Sequence, residues 1–162
     1  MKLRSLLGMA ISVALLVAPA VTRPAPLLTW NASPSVPTGL YGIASVSPRV
    51  GDIALARLRP NVAALAARRG YLRRSAYLLK PVIAIAGDQV CRHGARLRIN
   101  GQLAALARPA DRLGRPLPVW HGCRTLVAGQ VFLLADDPDS FDSRYFGPLD
   151  RQQIIGRAFL IW

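Results

Sequence analysis

Lysine is rare in this chain, and its rarity draws attention to Lys80. The 162-residue sequence has 21 Lys and Arg side chains, of which only Lys2 and Lys80 are lysines. Arginine stays protonated in proteins, whereas a desolvated lysine loses its proton and becomes a base. Lys80 lies in the apolar run Leu78–Asp88, which favours the neutral amine and lowers its pKa from about 10.4 toward neutrality. It is therefore a candidate general base. The alternatives are an arginine codon bias and an edge-strand lysine whose amine reaches water.

A serine between two prolines is the candidate nucleophile. Pro34 and Pro37 flank Ser35 within the segment Ser33–Tyr41 and stiffen the backbone around its hydroxyl. A nucleophile needs such positioning, whereas a flexible linker does not. Taken alone, the pattern also fits a proline-rich spacer whose serines only contact water.

Acidic, basic and hydroxyl groups are concentrated in the segment Asp136–Gly147. Asp142 and Arg144 are two residues apart and can pair on one face, while Ser140 can offer its hydroxyl to a neighbouring amine. The segment also holds four aspartates that raise the question of calcium: Asp136, Asp137, Asp139 and Asp142. It lacks the glycine and terminal glutamate of an EF-hand loop, and the chain contains no glutamate. We therefore predict no metal and no cofactor.

The charge of the chain is strongly positive. The formal net charge of +13 suits contact with an anionic membrane face, an acidic substrate or nucleic acid. The arginines are scattered, without a reading helix or regular aromatic interleaving, which disfavours a nucleic-acid partner. The length allows one compact domain with a short appendage.

The N-terminus has the pattern of an export signal. Lys2 and Arg4 precede the apolar run Leu6–Val21, which contains 16 residues. At about 1.5 Å per residue this run spans roughly 24 Å as a helix, slightly less than a hydrocarbon core of about 30 Å. Mild thinning of the bilayer would accommodate it as an anchor.

The apolar run can be a cleaved signal peptide or a retained anchor. Ala18-Pro19-Ala20 has the small-x-small pattern of a cleavage site, but a proline inside that triplet is unusual. We favour a retained anchor, and with either outcome the body is exported. The predicted organisation is a signal-anchor segment over residues 1–26 and an exported domain over residues 27–162.

Export places two cysteines, Cys91 and Cys123, in an oxidising compartment, where one disulfide is the simplest outcome. A zinc site is the competing arrangement. If Cys91-x-His93 and His121-x-Cys123 lay on adjacent strands, all four side chains would point to one face. Paired zinc ligands are usually separated by two or more residues, so the disulfide is favoured.

The rest of the pattern predicts mostly β structure with one short helix. The prolines between Thr22 and Pro37 exclude a continuing helix and predict an extended segment. Asn100-Gly101 predicts a hairpin turn. A helix is predicted over residues 60–69, with proline at its start and Gly70 at its end. The predicted strands are short runs bounded by turn residues: 39–46, 52–58, 77–85, 89–91, 97–99, 131–135 and 154–162.

Together these segments resemble the type I signal peptidase superfamily of serine-lysine peptidases, most closely its conjugative branch, the TraF-type pilin-maturing peptidases. The resemblance begins at Ser33, continues to the C-terminus, and implies an antiparallel β-sheet domain of the signal peptidase type. Four blocks carry it: Ser35-x-Pro37-x-Gly39-x-Tyr41; Leu79-Lys80 before Gly87-Asp88; Ser140-x-Asp142-Ser143-Arg144-Tyr145-x-Gly147; and Ile155-Gly156-Arg157-Ala158.

The resemblance implies a catalytic role for three residues. Ser35 would be the nucleophile and Lys80 the general base. The backbone N–H of Ser35 and the hydroxyl of Ser33 would supply the oxyanion hole.

The resemblance also implies three supporting residues. Ser140 would hydrogen-bond the lysine amine, and Asp142 and Arg144 would form an ion pair that holds this segment near the site. Two positions depart from the family pattern: Pro81 stands where a basic residue is usual, and Ala86 where a proline is usual. Both bear on local strand pairing more than on the chemistry.

The implied activity is that of a membrane-associated serine endopeptidase of the bacterial inner membrane, with its catalytic domain facing the periplasm. The expected partners are the membrane and a membrane-tethered protein substrate. A pilin precursor of a conjugative secretion machinery is the favoured substrate, with cleavage that can be coupled to cyclisation, and a general signal peptidase for preproteins is the alternative.

Two further alternatives lie outside this family. One is a histidine-based serine hydrolase that uses His93 or His121, although the chain has no Gly-x-Ser-x-Gly motif. The other is a non-catalytic, exported basic β-module, stapled by Cys91 and Cys123, that binds an envelope or secretion partner.

Overall fold

A computed structural model describes residues 7–9, 11–13, 25–73 and 76–162. From residue 25 onward the described residues form ten β-strands, two short α-helices and one 3₁₀ turn. The strands are β1 (Leu28–Asn31), β2 (Gly39–Ala44), β3 (Ile53–Ala56), β4 (Leu78–Ile85), β5 (Gln89–His93), β6 (Arg96–Ile99), β7 (Gln102–Leu106), β8 (Gly122–Thr125), β9 (Val131–Leu133) and β10 (Ile154–Leu160). The helices are α1 (Pro60–Arg68) and α2 (Ser143–Phe146), and the 3₁₀ turn is Arg151–Gln153.

The strands form two antiparallel sheets. The larger has the order β1-β2-β10-β3-β4-β9 and the smaller the order β7-β6-β5-β8. Strands β4 and β5 follow each other in the chain but belong to different sheets, so the turn between them joins the sheets. The C-terminal strand β10 lies between β2 and β3, which ties the two ends of the described domain together.

The prediction of a mostly β, antiparallel domain is confirmed. Some individual elements match their predicted positions and others were not predicted. Helix α1 ends within one residue of its predicted end, before Gly70, whose φ is +74°. The Asn100-Gly101 turn joins β6 to β7, with both residues at positive φ. Strands β1, β7 and β8 were not predicted, and β1 lies inside the segment that was expected only to be extended.

A second helix corrects the prediction of one helix. Helix α2 has only four residues, too few to show a helical period in the sequence. It forms because the Asp142 side chain accepts the backbone N–H of Arg144 at the N-terminus of the helix.

The predicted signal-anchor segment, residues 1–26, lies largely outside the described residues. Residues 7–9 and 11–13 are helical. Within the part of the chain that is described, no helix combines the length and the apolar character needed to span a membrane.

Strand β4 positions the candidate base within the apolar interior. Lys80 is on the same face of β4 as Leu78 and Val82, which belong to the largest buried apolar cluster. Leu79 faces the opposite side and packs with Tyr41 in a second cluster. Lys80 itself pairs with the fully buried Ala54 of β3, so its side chain is surrounded by protein.

Pro81 does not disrupt the pairing of β4 with either of its neighbouring strands, β3 and β9. It pairs with Ile53 at the end of the β3 ladder, and the β9 ladder begins at the next residue, Val82. The Pro81 carbonyl accepts the N–H of Leu134. A residue without an N–H is tolerated here because the Pro81 carbonyl, and with it the nitrogen, faces β9, whose register with β4 begins only at Val82.

A disulfide joins Cys91 of β5 to Cys123 of β8. The two residues are direct partners in the β5–β8 register, and each strand also hydrogen-bonds along its length. The smaller sheet is therefore cross-linked between neighbouring strands.

Candidate active site

The candidate residues meet in one cleft of about 740 Å³, a size typical of ligand sites. Three of the chain segments that line it carry candidate residues. The loop after β1 contributes Ser33 and Ser35, the first half of β4 contributes Lys80, and the turn before α2 contributes Ser140. Residues far apart in sequence are thus brought to one surface by the pairing of β1 with β2 and of β4 with β3.

The side chain of Asn31 organises the serine loop. Asn31 is only 7% exposed, and its amide donates to three backbone carbonyls, those of Ser33 (2.8 Å), Val36 (3.0 Å) and Pro37 (3.0 Å). Its carbonyl oxygen accepts the backbone N–H of Ser33 at 3.2 Å. One buried amide therefore closes the loop on which Ser35 lies. Our sequence reasoning missed Asn31. Asparagine is common in such loops, but its distant partners cannot be read from sequence.

A chain of hydroxyl groups connects the serine loop to its support. The Ser33 hydroxyl donates to the Asn31 side chain at 3.1 Å, and the Ser35 hydroxyl lies 2.9 Å from the Ser33 hydroxyl. Since Ser33 already donates to Asn31, Ser35 is the donor of the second bond. The buried Tyr41 donates its own hydroxyl to the Pro37 carbonyl at 2.8 Å, which fixes the far end of the loop.

The amine of Lys80 is buried and hydrogen-bonded to Ser140. Lys80 is 6% exposed, and its Nζ donates to the Ser140 Oγ at 2.7 Å. Burial lowers the pKa of Lys80 from 10.5 to about 8, opposed by the negative charges of Asp142 and Asp137 and aided by the positive charge of Arg144. A substantial fraction of the amine is therefore neutral near pH 8, as a general base requires.

Ser35 and Lys80 line the same cleft, and in the described part of the structure no hydrogen bond joins their side chains. The Ser35 hydroxyl is hydrogen-bonded to Ser33 and the Lys80 amine to Ser140. Ser35 is partly exposed at the surface of the cleft, while Lys80 lies at its buried end. Catalytic hydrogen bonds are often long in the absence of substrate and tighten when it binds.

A buried ion pair closes the loop that carries Ser140. Asp142 and Arg144 are 0% and 2% exposed, and the guanidinium donates to both carboxylate oxygens, at 2.8 and 2.9 Å. Asp142 also accepts the backbone N–H of Ala135 at 3.1 Å, while Arg144 donates to the Ala135 carbonyl. The pair therefore binds both backbone groups of Ala135 and folds residues 135–142 into a closed loop.

Two side chains that were not identified from the sequence hydrogen-bond to helix α2, which directly follows this loop, and connect it to the region of the smaller sheet. Arg92 of β5, only 2% exposed, donates to the backbone carbonyl of Arg144. The indole N–H of Trp120 donates to the Ser143 carbonyl at 3.1 Å. Buried arginine is uncommon, but neither its burial nor its partner is evident from a chain with 19 arginines.

The histidines of the alternative hydrolase lie outside the cleft, and two of the aspartates considered for calcium are already paired with arginines. His93 and His121 are both exposed, and neither is among the described residues that line the cleft. Asp142 is paired with Arg144, and Asp139 forms ion pairs with two arginines, Arg108 and Arg112. Among the described residues, the aspartates form no cluster with the spacing of metal ligands.

Sequence and structure comparisons match this chain to known proteins. The family model for signal peptidase, peptidase S26, matches residues 1–162. The chain is 36% identical over 141 residues to the plasmid transfer protein TraF of Escherichia coli, covering 83% of this chain and 76% of that protein. It is 35% identical over 140 residues to the probable conjugal transfer protein TraF of Sinorhizobium fredii (strain NBRC 101917 / NGR234), covering 79% and 73%. A crystal structure of a signal peptidase I from Enterococcus faecalis V583 aligns with a TM-score of 0.40 and 22% identity, covering 70% of this chain and 98% of that one.

The buried ion pair generates a prediction about stability. Asp142→Asn keeps the shape of the side chain but leaves the buried Arg144 guanidinium without a counterion. We expect the free energy of unfolding to fall by about 3–5 kcal/mol, measured by urea denaturation.

Asp52→Asn is the matched control for this prediction. Asp52 and Arg157 are partly exposed and 4.0 Å apart, so we expect a loss below about 1 kcal/mol. Equal, small losses in the two variants would contradict the structural role given to Asp142.

Proposed function

The chain belongs to the signal peptidase family, peptidase S26, and from this premise we propose that it is a serine endopeptidase with Ser35 as nucleophile and Lys80 as general base. One observation carries the proposal: the amine of Lys80 is buried, has a pKa of about 8 and lies in the same cleft as the Ser35 hydroxyl. A neutral amine is a competent base, and a serine needs such a base to become a nucleophile.

The first half of the reaction follows from these positions. As the Ser35 oxygen attacks a peptide carbonyl, neutral Lys80 accepts the hydroxyl proton. One N–H of the neutral amine donates to Ser140, which leaves its lone pair free to accept the proton. The lysine ammonium then protonates the leaving amine, and an acyl group remains on Ser35.

The oxyanion of the tetrahedral intermediate is stabilised by the Ser35 backbone N–H and the Ser33 hydroxyl. In the structure the Ser33 hydroxyl donates to Asn31. Its O–H must rotate away from Asn31 to reach the oxyanion. Asn31 then keeps the loop closed through its three bonds to backbone carbonyls, so the rotation leaves the backbone in place.

The substrate that we propose is an exported, membrane-tethered pilin precursor. The TraF relatives are described as plasmid transfer and conjugal transfer proteins, which supports a substrate within the conjugation machinery. Residues 1–26 would anchor the chain in the inner membrane, and residues 27–162 would face the periplasm. Only a short stretch then separates the anchor from Ser35, so the cleft stays near the bilayer, where a tethered substrate presents its cleavage site.

Release of the acyl group has two outcomes that differ in mass. Water gives a cleaved precursor, whereas attack by the substrate's own N-terminal amine gives a cyclic product that is lighter by one water. Co-expression with candidate conjugative pilin precursors, followed by intact mass analysis, identifies both the substrate and the outcome.

The proposed dyad predicts the effect of three kinds of substitution. Ser35→Ala and Lys80→Met should each lower precursor processing at least about a thousandfold, because they remove the nucleophile and its base. His93→Ala and His121→Ala should process within about threefold of the wild type. The fraction of precursor converted is read by intact mass.

Lys80→Met also separates chemistry from folding. Methionine fills the site without an amine that is costly to bury, so this variant should be at least as stable as the wild type at pH 7. Processing by folded Lys80→Met would eliminate the dyad. Full function in Ser35→Ala would favour a non-catalytic binding module. Loss of precursor processing in His93→Ala or His121→Ala would favour a histidine-based hydrolase.

The lowered pKa of Lys80 predicts the pH dependence of the reaction. The base is active when neutral, so kcat/KM should rise with pH, reach half its plateau near pH 8, and fall about tenfold per unit at lower pH. The measurement is an initial-rate series on the identified precursor or a peptide spanning its cleavage site. A profile that is flat from about pH 6 to 9, or an inflection near the ordinary histidine value of about 6.5, would contradict Lys80 as base.

A further inference from the structure

A second group of reactive side chains lies on the smaller sheet, away from the peptidase cleft. The ligand atoms of Cys91, His93 and Cys123 are all within 4.8 Å of one another. His93 and Cys123 are exposed, Cys91 is buried, and none of the three is among the residues that line the cleft. The cluster is therefore separate from the site proposed for catalysis.

Strand register creates this cluster. Cys91 and Cys123 are direct partners in the β5–β8 pair, so their side chains share one face of the sheet. His93 follows Cys91 by two residues on β5 and points to the same face. Strand β5 is hydrogen-bonded to β6 on one side and to β8 on the other, in addition to the disulfide. Breaking the sulfur–sulfur bond therefore leaves the three side chains adjacent.

The distances fit a tetrahedral zinc ion. With Zn–S of about 2.3 Å and Zn–N of about 2.0–2.1 Å, a tetrahedral site places sulfur and nitrogen ligands about 3.6 Å apart. The His93 Nε2 is 3.6 Å from the Cys123 Sγ. The two sulfurs have to separate to about 3.8 Å on the same geometry, and the ligand atoms of Cys91 and His93, which lie within 4.8 Å of each other, have to settle at about 3.6 Å.

The charges around the cluster suit thiolate ligands. Arg98 of β6 is the register partner of Cys91, and Arg96 is the partner of His93. A positively charged surface stabilises negatively charged thiolate ligands. Two thiolates and one neutral imidazole exactly balance the charge of a divalent ion, so no uncompensated charge is added to a basic surface.

We propose that reduction of the Cys91–Cys123 disulfide turns this cluster into a Zn²⁺ site. A phosphine supplies two electrons and one water supplies two protons: the sulfur–sulfur bond breaks, two thiols form, and the phosphine takes the water oxygen to become its oxide. Zn²⁺ then displaces one proton from each thiol, so two protons are released per metal bound. The ligands are the two thiolates and the His93 imidazole, with water in the open, solvent-facing fourth position.

The site gives the β5–β8 pair two alternative cross-links. In the oxidised chain the strands are joined by the disulfide, and in the reduced chain they are joined through the metal. The two states exclude each other because the same sulfurs serve both. This inference is independent of the peptidase proposal, since neither Ser35 nor Lys80 takes part.

The experiment compares the oxidised and reduced full chain. The protein is reduced with a phosphine under anaerobic conditions, since dithiols themselves bind zinc, and is then titrated with Zn²⁺. After gel filtration, we expect one zinc per reduced chain by elemental analysis and none per oxidised chain, with two protons released in weakly buffered solution. Co²⁺ as a probe should give the charge-transfer absorption of thiolate ligation.

Histidine variants distinguish this site from chance binding to thiols. His93→Ala should lower zinc affinity at least about tenfold, whereas His121→Ala, whose imidazole lies outside the cluster, should remain within about threefold. Both variants keep the disulfide when oxidised, so their folding can be checked by circular dichroism before reduction. The proposal is overturned if reduced wild type retains no more zinc than oxidised wild type, or if His93→Ala binds as tightly as wild type.

Discussion

The burial of one amine is the constraint on which the rest of this structure depends. Lys80 lies on a face of β4 whose neighbours are apolar, and burial lowers its pKa to about 8. The same burial has a cost. The folded pKa lies below that of the unfolded chain, so the unfolded state binds more protons between about pH 8 and 10.5. The lysine therefore destabilises the fold fully below about pH 8, and this cost is relieved as pH rises through that range. The burial that lowers the pKa of Lys80 toward neutrality therefore also lowers the stability of the fold.

The surrounding structure holds the Lys80 amine in a defined orientation. Ser140 accepts a hydrogen bond from Lys80, and Ser140 is itself held by a loop that the buried Asp142–Arg144 pair closes at Ala135. The charges of this pair act on the amine in opposite senses, since the carboxylate raises the pKa of Lys80 and the guanidinium lowers it. The carboxylate has the larger of the two effects, so the pair as a whole works against the lowering of the pKa of Lys80 by burial. On the other side of the cleft a single amide, that of Asn31, fixes the serine loop.

Much of this arrangement can be predicted from the sequence, and the remainder depends on contacts between distant residues. The apolar run around Lys80 indicates a buried strand, Asn100-Gly101 indicates a hairpin, and proline and glycine delimit helix α1. Strands β7 and β8 have largely exposed residues without clear alternation, so no period marks them. The environments of Asn31 and Arg92 also escape prediction, because burial of a polar side chain depends on partners that only the folded chain provides. The hydrogen bond from Lys80 to Ser140, across 60 residues, is implied by family resemblance rather than by any local pattern.

The central claim, that burial lowers the pKa of Lys80 to about 8, can be tested directly because the chain has only two lysines. With ¹³C,¹⁵N-labelled lysine, the side-chain Cε and Nζ resonances of Lys2 and Lys80 can be followed by NMR as pH is raised, and Lys80→Met assigns them. The account predicts that the resonance absent from Lys80→Met titrates with a midpoint near 8, well below that of an ordinary lysine at about 10.4. A midpoint near 10.4 for that resonance would show that the amine is charged under working conditions and would contradict its role as the general base.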